Sequence, residues 1–317
     1  MPSIAFVPER IDEWAYWITE REKVRKAKES GRAPPYTKDK VIAYTRWCNV
    51  RRMDDKVSRW LLNNWYTPGT YADYRTPLIA ALLARMINKP ETLSAIIADN
   101  RGGFTKWNYD RAYKAMYAIK DTGGIVFTNA YIINGASGGP KIDQVLNAIR
   151  TCADNCDKRA SRYVVPESLQ RTAEALHSLP GVGSFIAGQV VADLRWVLGD
   201  VNTGWWGDRM SWAPPGPGSS RGMKYLLGMA TAADMAGRGN DLKEKQFLPA
   251  LRALVELAKK HPQVGPVFKD RKLEAHDIQN TLCETSKYVR VKYNVGRAKN
   301  GYEPMSRYNS TQGELDI

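Results

Sequence analysis

Length, composition and charge together exclude several classes of protein. With 317 residues, 43% of them hydrophobic, the chain is long enough for one large or two modest globular domains with a buried core. The formal charge of +14 favours a polyanionic partner, because Lys and Arg side chains that contact phosphates release counterions; a solvated basic surface without a partner is the alternative. No segment approaches the roughly 18 uninterrupted apolar residues of a membrane span, so no membrane partner is expected.

The cysteines and the N-terminal residues indicate a reducing compartment. Cys48, Cys152, Cys156 and Cys283 are too few and too scattered for a disulfide framework, and no apolar signal precedes Glu9. Cys152 and Cys156 lie one helical turn apart without a second cysteine pair or a nearby histidine. A zinc or iron–sulfur site is therefore not expected.

The predicted secondary structure is helical along most of the chain. Periodicity predicts helices at residues 9–30, 57–65, 72–87, 109–119, 142–156, 166–178, 185–198, 223–235, 242–260 and 271–292. Residues 125–133 have the β-branched content of a strand, but we interpret them as a buried helix because helices surround them. The first helix is expected at the periphery. The predicted domains are an N-terminal helical extension (1–40), a two-lobed catalytic region (41–293) and a polar tail (294–317).

Three polar residues recur at three-residue steps before the second predicted helix: Asn49, Arg52 and Asp55. On a helix they would share one face, where they could hold a base edge or an anion. A salt-bridged surface face is the alternative.

The segment Leu179–Ser184, with the sequence LPGVGS, joins two predicted helices through two closely spaced glycines. This pattern is typical of a helix-hairpin-helix, in which backbone N–H groups at a helix N-terminus bind a DNA phosphate. The predicted DNA contacts are Gly181, Val182, Gly183 and Ser184, together with Asn49. A plain αα-hairpin is the alternative. The second helix carries Gln189 and Asp193 one turn apart among apolar neighbours, either as a functional pair or as a satisfied core pair.

A tryptophan-rich stretch with Trp205 and Trp206 precedes a Pro/Gly loop that contains Ser219, Ser220 and Arg221. The loop is a candidate anion site. It lacks the G-x-x-x-x-G-K-[ST] pattern of a nucleotide-binding P-loop, which disfavours an ATP-driven kinase. Further along, Asp277, Asn280, Glu284 and Lys287 recur at helical spacing and form a polar stripe on the last predicted helix.

Four stretches together resemble a phage family, the amino acid:DNA transferases that hypermodify thymine, also called α-glutamyl/putrescinyl thymine pyrophosphorylases. They are residues 48–55 (CNVRRMDD), 179–194 (LPGVGSFIAGQVVADL), 216–222 (GPGSSRG) and 277–290 (DIQNTLCETSKYVR). The hairpin alone indicates only the wider helix-hairpin-helix DNA glycosylase-like superfamily, and the last two stretches narrow the match. Met53 and Ser286 depart from the family pattern, so the resemblance implies no role for those two positions.

The resemblance implies an all-α, glycosylase-like fold and an enzyme that acts on 5-pyrophosphomethyl-deoxyuridine in double-stranded phage DNA, in the cytoplasm of the infected bacterium. An amine, from an amino acid or a polyamine, displaces pyrophosphate from the exocyclic methylene carbon. The positions that match the family patterns are Asn49, Arg52, Asp55, Gln189, Asp193, Gly218, Arg221, Asp277, Asn280, Glu284, Lys287 and Arg290. Which amine is used and how many copies of the chain assemble stay open.

Chemical roles follow from this reaction. Arg52, Ser219, Arg221 and Lys287 are expected to bind pyrophosphate, with or without Mg²⁺, and Trp205 and Trp206 to stack on a flipped base. The predicted catalytic residues are Gln189, Asp193, Asp277, Asn280 and Glu284. The amine needs a carboxylate base, for which Asp193, Asp277 and Glu284 are the candidates, and the two polar stripes are expected to face each other across a cleft.

Two other classes stay open. A DNA glycosylase would need a carboxylate near the hairpin, and Asp200 or Asp208 would serve; against it, Phe185 and Thr203 occupy the positions where glycosylases place a lysine and an aspartate. A non-enzymatic DNA-binding protein would leave the polar stripes at 189/193 and 277/284 unexplained.

Overall fold

The computed structural model describes residues 4–66, 71, 73–97, 108–128, 139–159, 162–179, 181–198, 206–237, 241–269 and 273–295. In this part of the chain the only β pairing is an isolated bridge between Glu167 and Trp206. Its α-helices are α1 (Pro8–Glu29), α2 (Lys40–Tyr44), α3 (Lys56–Trp60), α4 (Arg75–Ile87), α5 (Pro90–Ile97), α6 (Tyr109–Asp121), α7 (Lys141–Arg159), α8 (Leu169–His177), α9 (Ser184–Val197), α10 (Pro217–Leu226), α11 (Glu244–Lys260) and α12 (Ala275–Lys292). The predicted all-α fold is confirmed.

The contacts divide the chain into two units. The first unit comprises residues 1–55 and 210–317, with α1, α2 and α10 to α12; the second comprises residues 56–209, with α3 to α9. This division falls after Asp55 and before Met210. It does not test the domain boundaries predicted at residues 40 and 293, which stay predictions.

Helix α12 forms the centre of the first unit, where α10 lies directly against it. A Cβ atom on Gly222 of α10 would lie 2.2 Å from the carbonyl oxygen of Leu282, so only glycine permits this approach of the two backbones. Helix α1 also belongs to the core: Trp14 and Trp17 are fully buried, and the Trp14 indole donates a hydrogen bond to Thr281 Oγ1 at 3.0 Å. The expectation of a peripheral first helix was wrong.

The charged residues of α1 explain that error. Glu22 and Arg25 are buried and pair with each other at 2.6 Å, and Arg51 also lies within 3.4 Å of Glu22. Charges that look solvated in the sequence are therefore neutralised inside the unit.

Helices α4 and α9 form the core of the second unit. Every residue of α4 from Pro77 to Ile87 is buried, and on α9 so is every residue from Ile186 to Val197 except Gln189. Helices that are buried on all sides are expected where each packs between neighbours, and α9 contacts both α4 and α8.

The two helices predicted before and after residue 181 are present, and a short turn joins them. Helix α8 ends at His177, Gly181 adopts a φ of +79°, and α9 begins at Ser184 with Gly183 as its N-cap. The left-handed conformation at Gly181 is the one that glycine adopts without strain. Membership of the chain in the helix-hairpin-helix superfamily stays a prediction.

Three local predictions differ from the structure. The helix predicted at 223–235 instead begins at Pro217 and ends at Leu226, because Pro217 takes the first helical position and Ser219 Oγ accepts a hydrogen bond from the Gly216 N–H at 2.9 Å. Residues 49–55 form a loop with one 3₁₀ turn at Arg52–Asp54, not a helix. Residues 125–128 are not helical, and residues 129–133 lie outside the described residues.

Candidate active site

The polar stripe of α12 holds the loop of residues 46–55, which we call the site loop. Asn280 Nδ2 donates to the Asn49 carbonyl at 2.9 Å, and Asp277 Oδ1 accepts from the Arg52 N–H at 3.3 Å. One turn further along α12, Glu284 Oε2 accepts from the Cys48 N–H at 3.1 Å. The predicted stripe on α12 is therefore present, and its carboxylates and amide bind backbone groups of the site loop.

Asn49 and Asp55 close the site loop on itself. The Asn49 N–H donates to Asp55 Oδ1 at 2.7 Å, and Asn49 Nδ2 donates to the Asp54 carbonyl at 2.7 Å. Such local bonds from an Asn side chain compete with a helix, which explains why the three-residue spacing of residues 49, 52 and 55 did not produce one.

Asp55 is the most open carboxylate of this site. It is half-buried, and within the described part of the chain its only hydrogen bond is the one that Oδ1 accepts from Asn49. Burial raises the pKa of Asp55 to about 6, and Glu284 acts in the same direction; the Asn49 hydrogen bond and the nearby charges of Arg52 and Arg21 oppose the rise. Asp55 therefore gains and loses a proton close to neutral pH, which suits a general base.

Lys287 is committed to protein contacts. Its Nζ lies 2.7 Å from Glu284 Oε2, donates to the Arg46 carbonyl at 2.8 Å, and lies 4.7 Å from the centre of the Trp47 ring. The pyrophosphate-binding role predicted for Lys287 stays a prediction, but a ligand would have to compete with Glu284 for it.

Two cysteines border the site as protonated thiols. Glu284 and burial hold the pKa of Cys48 well above its usual range, and burial, followed by Glu284, raises the pKa of Cys283 to about 11. Since the thiolate is the nucleophilic form, these two side chains do not favour cysteine chemistry at neutral pH.

Ser219 and Arg221 lie on α10 beside α12. Ser219 is fully buried, and its Oγ receives hydrogen bonds from the Gly216 N–H at 2.9 Å and from Gln279 Nε2 at 3.2 Å. Arg221 is half-buried, and its buried Nε has no hydrogen bond with the residues that the structure describes. Of the two, Arg221 is the one with donors left for a ligand.

Arg21 is a site residue that the sequence pattern did not bring out. Its Nε donates to the Cys48 carbonyl at 3.1 Å, its side chain is buried, and Nη1 has no hydrogen bond within the described residues. Burial lowers the pKa of Arg21, while Asp55 and Glu284 among other groups raise it. The signal was its spacing: residue 21 falls on the same face of α1 as Trp14, Trp17 and Ile18.

Asp193 lies in the second unit, in a closed set of contacts. Arg85 donates to Asp193 Oδ2 from Nε at 2.7 Å and to Oδ1 from Nη2 at 2.5 Å, and the Tyr66 hydroxyl donates to Oδ2 at 2.7 Å. Asp193 is fully buried. The catalytic role predicted for Asp193 stays a prediction, but these contacts give both carboxylate oxygens a structural role. Gln189, one turn earlier, is half-buried.

The hairpin turn presents an open helix N-terminus. Val182 is buried, whereas Gly183 and Ser184 are exposed, and the N-cap Gly183 provides no side-chain hydrogen bond to α9. Uncapped N–H groups at the start of a helix are suited to a phosphate oxygen, and DNA binding by residues 181–184 stays a prediction.

The predicted stacking residues differ in what can be said of them. Trp206 is 2% exposed, which leaves no ring face for a base, so the stacking predicted for it conflicts with its burial. Trp205 lies outside the described residues.

The glycosylase alternative named two carboxylates, Asp200 and Asp208. Asp208 accepts hydrogen bonds from the backbone N–H groups of Leu169 and Gln170 at 2.8 and 3.0 Å and so caps α8. Asp200 lies outside the described residues.

Among the described helices, none is long and apolar enough to cross a membrane. In the same part of the chain, no group of three or more His, Cys, Asp or Glu side chains is placed to hold a metal ion. Participation of Mg²⁺ stays a prediction.

Residues 8–297 match the family described as "5-hmdU DNA kinase, helical domain". The chain belongs to this family. It is also 24% identical over 294 residues to a 5-hmdU DNA kinase of Bacillus phage SP10, over 86% of this chain and 43% of that protein, so the chain spans less than half of the relative's length. No solved structure matches the chain.

The matches support the coarser part of the resemblance, a family of phage enzymes that modify thymine-derived bases. They do not reach the transferase reaction, the amine or the hairpin superfamily, which stay predictions.

Proposed function

We propose that the chain acts on phage DNA that carries a 5-substituted deoxyuridine. In the proposed reaction an amine bonds to the exocyclic methylene carbon of that base and displaces pyrophosphate from it. Membership of the 5-hmdU DNA kinase helical-domain family supports a 5-substituted deoxyuridine as the target. The formal charge of +14 supports DNA as the partner.

The observation that carries the reaction is the half-open carboxylate of Asp55 among cations. An amine is protonated at neutral pH and is inert until it loses a proton. Asp55 has a pKa of about 6 and, in the described part of the chain, one oxygen without a hydrogen bond, so it can accept that proton. The positive charge of Arg52 acts to lower the pKa of Asp55, so Arg52 lies near the proposed base. The same guanidinium can help to stabilise the negative charge of the leaving group.

The proposed step balances in atoms and charge. The ammonium gives one proton to the Asp55 carboxylate, and the freed nitrogen lone pair forms a bond to the methylene carbon. The bond from that carbon to the pyrophosphate oxygen breaks, and pyrophosphate leaves with the electron pair. The new secondary ammonium then releases a proton to solvent. Asp55 also releases its proton to solvent and is again a carboxylate.

The other candidate bases are less suited. Asp277 Oδ1 accepts from the Arg52 N–H and Oδ2 from the Glu274 N–H, while Glu284 Oε2 is shared by the Cys48 N–H and Lys287. Each of these bonds would weaken if its carboxylate took up a proton. We therefore assign Asp277 and Glu284 to holding the site loop, and Asn280 with them.

A kinase is the second candidate, and the name of the phage SP10 relative favours it. Asp55 would then accept the proton of the 5-hydroxymethyl group while a phosphoryl group is transferred to its oxygen. Against this stands the sequence, in which no G-x-x-x-x-G-K-[ST] pattern occurs. The chain also spans only 43% of that relative, so the relative's kinase activity need not lie in the shared part.

Nucleoside mass spectrometry separates the two candidates. Duplex DNA with 5-pyrophosphomethyl-deoxyuridine is incubated with the chain and a panel of amines and amino acids; duplex DNA with 5-hydroxymethyl-deoxyuridine is incubated with ATP and Mg²⁺. We expect a nucleoside that has gained an amine in the first reaction and an unchanged nucleoside in the second. Phosphorylated 5-hydroxymethyl-deoxyuridine without any amine adduct would replace the proposal with the kinase, and abasic sites would replace it with a glycosylase.

A further inference from the structure

The backbone groups of Cys48 and Asn49, in the site loop, are all hydrogen-bonded. The Cys48 N–H donates to Glu284 at 3.1 Å and the Asn49 carbonyl accepts from Asn280 at 2.9 Å, so α12 holds both ends of this dipeptide. Between these two bonds lies the peptide group that joins Cys48 to Asn49. Its carbonyl accepts from Arg21 Nε of α1 at 3.1 Å, and its N–H donates to Asp55 Oδ1 at 2.7 Å. Helix α1 therefore contacts the same peptide group that binds the proposed base.

This one peptide group links Arg21 to Asp55. It is a trans peptide, in which the carbonyl and the N–H point in opposite directions, so the two side chains lie on opposite sides of it. The two hydrogen-bond lengths and the size of a peptide group limit the separation of Arg21 Nε from Asp55 Oδ1 to about 8 Å. Hydrogen bonds in a chain polarise one another, so a donor on the carbonyl strengthens the N–H as a donor. Arg21 can therefore act on Asp55 without contacting it.

The charge of Arg21 exceeds what its hydrogen bond requires. The side chain is buried, and Nη1 has no hydrogen bond within the described residues. A neutral amide could donate to the Cys48 carbonyl at a lower cost of burial, since a buried charge is expensive unless it is matched. Burial lowers the pKa of Arg21, and the charge that opposes this most is that of Asp55. The guanidinium is thus matched mainly by the carboxylate on the other side of the peptide.

Other contacts fix α1 against the site loop. The Trp17 ring, one turn before Arg21, lies edge-on to the Trp47 ring with 5.9 Å between their centres. On the other side of the peptide group, Arg51 lies 3.4 Å from Glu22, the residue after Arg21. Because these contacts lie before and after the peptide group, Arg21 has little freedom to move away from it.

We propose that Arg21 is a positioning residue for Asp55. It holds and polarises the Cys48–Asn49 peptide, so that the Asn49 N–H stays directed at one oxygen of Asp55 and the other oxygen stays open for the amine. Its positive charge also favours the ionised carboxylate, the form that accepts a proton. The part that Arg21 plays in amine transfer rests on the proposed function, whereas its effect on Asp55 can be measured without it.

Charges from three elements act on Asp55. Arg52 of the site loop and Arg21 of α1 favour its ionised form, whereas Glu284 of α12 opposes it. Glu284 is in turn paired with Lys287 at 2.7 Å. A neutral side chain in place of Arg21 leaves Arg52 to oppose both burial and Glu284, so the pKa of Asp55 should rise above its value of about 6.

Carbon-13 NMR titration of the aspartate side-chain carboxyl groups in the full chain, without DNA or amine, tests this link. The resonance of Asp55 is identified by its absence from Asp55→Asn. Arg21→Gln keeps a donor for the Cys48 carbonyl but removes the charge. We expect it to raise the midpoint of the Asp55 titration by about one pH unit, the effect of a unit charge at roughly 8 Å. Arg21→Lys, which keeps the charge, should raise the midpoint by less.

The matched control is Lys23→Gln. It removes one positive charge from α1, two residues from Arg21, but from a side chain that is 72% exposed. Water and salt screen such a charge, so the midpoint should stay at the wild-type value. An equal shift in Lys23→Gln and Arg21→Gln, or no shift in Arg21→Gln, would overturn the positioning role.

Urea denaturation establishes that each variant is folded. If Arg21→Gln does not fold, Arg21→Met takes its place, since an apolar side chain of similar length often replaces a buried charge without loss of stability. It should raise the midpoint in the same direction. Failure of both variants to fold would assign Arg21 to folding alone and would also overturn the proposal.

The pH profile of single-turnover amine transfer separates this role from the proposed function. In Arg21→Gln the rate should level off about one pH unit higher than in the wild type, and Arg21→Lys should restore most of the difference. A shifted Asp55 titration without any amine transfer by the wild type would keep the positioning role and remove the proposed reaction. Transfer that depends on Asp55 but has the same pH profile in Arg21→Gln would keep the reaction and remove the role of Arg21.

Discussion

Asp193 in the second unit and Asp55 in the first are both carboxylates at positions that match the family pattern, yet their surroundings in the structure are opposite. Asp193 is fully buried, and Arg85 and Tyr66 together donate three hydrogen bonds to its two oxygens. Asp55 is half-buried, and within the described chain it accepts one bond, from a backbone N–H.

These surroundings distinguish a carboxylate with a structural role from one that is suited to proton transfer. A buried ion pair with matched hydrogen bonds stays ionised and cannot take up a proton without losing its partners. A carboxylate with one open oxygen, in partial burial and near a second carboxylate, has a raised pKa and can exchange a proton near neutral pH. Polarity within an apolar helix therefore indicates first a satisfied pair and only then a catalytic group.

The largest effect should come from breaking the Asp193 pair. Asp193→Ala leaves the guanidinium of Arg85 buried without its counter-charge, which is expected to lower the free energy of unfolding by about 3–5 kcal/mol. Urea denaturation measures it. The double variant Asp193→Leu with Arg85→Met removes both charges and should recover most of the loss; a single variant within about 1 kcal/mol of the wild type would contradict the structural role of Asp193.

The next effect is on catalysis. Asp55→Asn should lower single-turnover amine transfer by about a hundredfold, as the loss of a general base predicts, with DNA affinity retained. The side chain keeps an oxygen that can accept from the Asn49 N–H, so the site loop should keep its conformation. Asp12→Asn, at an exposed position of α1, is the matched control and should transfer normally. Full activity of Asp55→Asn would remove Asp55 from the mechanism.

Stability should respond to Asp55 in the opposite direction from Asp193. The folded-state pKa of about 6 lies above the ordinary value of 3.8, so the folded protein binds this proton more tightly than the unfolded chain does. The ionised carboxylate therefore costs stability at neutral pH, and the cost disappears as the pH falls from about 6 to below 3.8. Asp55→Asn should accordingly be more stable than the wild type at pH 7 and equal to it in acid; a variant that is less stable at pH 7 would contradict the raised pKa.

The smallest effect concerns the hairpin of the second unit. Gly181→Ala forces a side chain into a φ of +79°, with its Cβ 3.0 Å from Ala148 Cβ, and should cost about 1–2 kcal/mol of stability and weaken DNA binding. Gly123→Ala is the control, because its φ of +76° imposes the same backbone strain at a turn outside the hairpin, where no atom lies within 4 Å of the added Cβ. Equal DNA affinity of the two variants would argue against phosphate binding at this turn.

Much of the helical framework could be predicted, because it depends on local periodicity. The stripe at Asp277, Asn280 and Glu284 lies on one face of α12 as the spacing required. The start of α10 was missed, since Pro217 and Ser219 were interpreted as loop residues although Pro and a Ser two residues later also suit the first turn of a helix.

The partners of the candidate site could not be predicted, because they are distant in sequence. Arg85 pairs with Asp193, which is 108 residues away in the sequence. The sequence pattern around either residue does not indicate the other as its partner. Arg21 reaches the site loop from α1, whose charges suggested a solvated surface. The relation between the stripes on α9 and α12, one in each unit, stays a prediction.

The pH dependence of single-turnover transfer tests most directly whether Asp55 is the proton acceptor. A simple alkylamine has a pKa of roughly 10 and is therefore protonated at neutral pH. With this amine the wild-type rate should rise with pH until Asp55 has ionised, at about pH 6, and then level off. In Asp55→Asn the slower reaction should keep rising through neutral pH, because it depends on the small fraction of free amine. Profiles of the same shape in both proteins would show that another group takes the proton and would contradict the account.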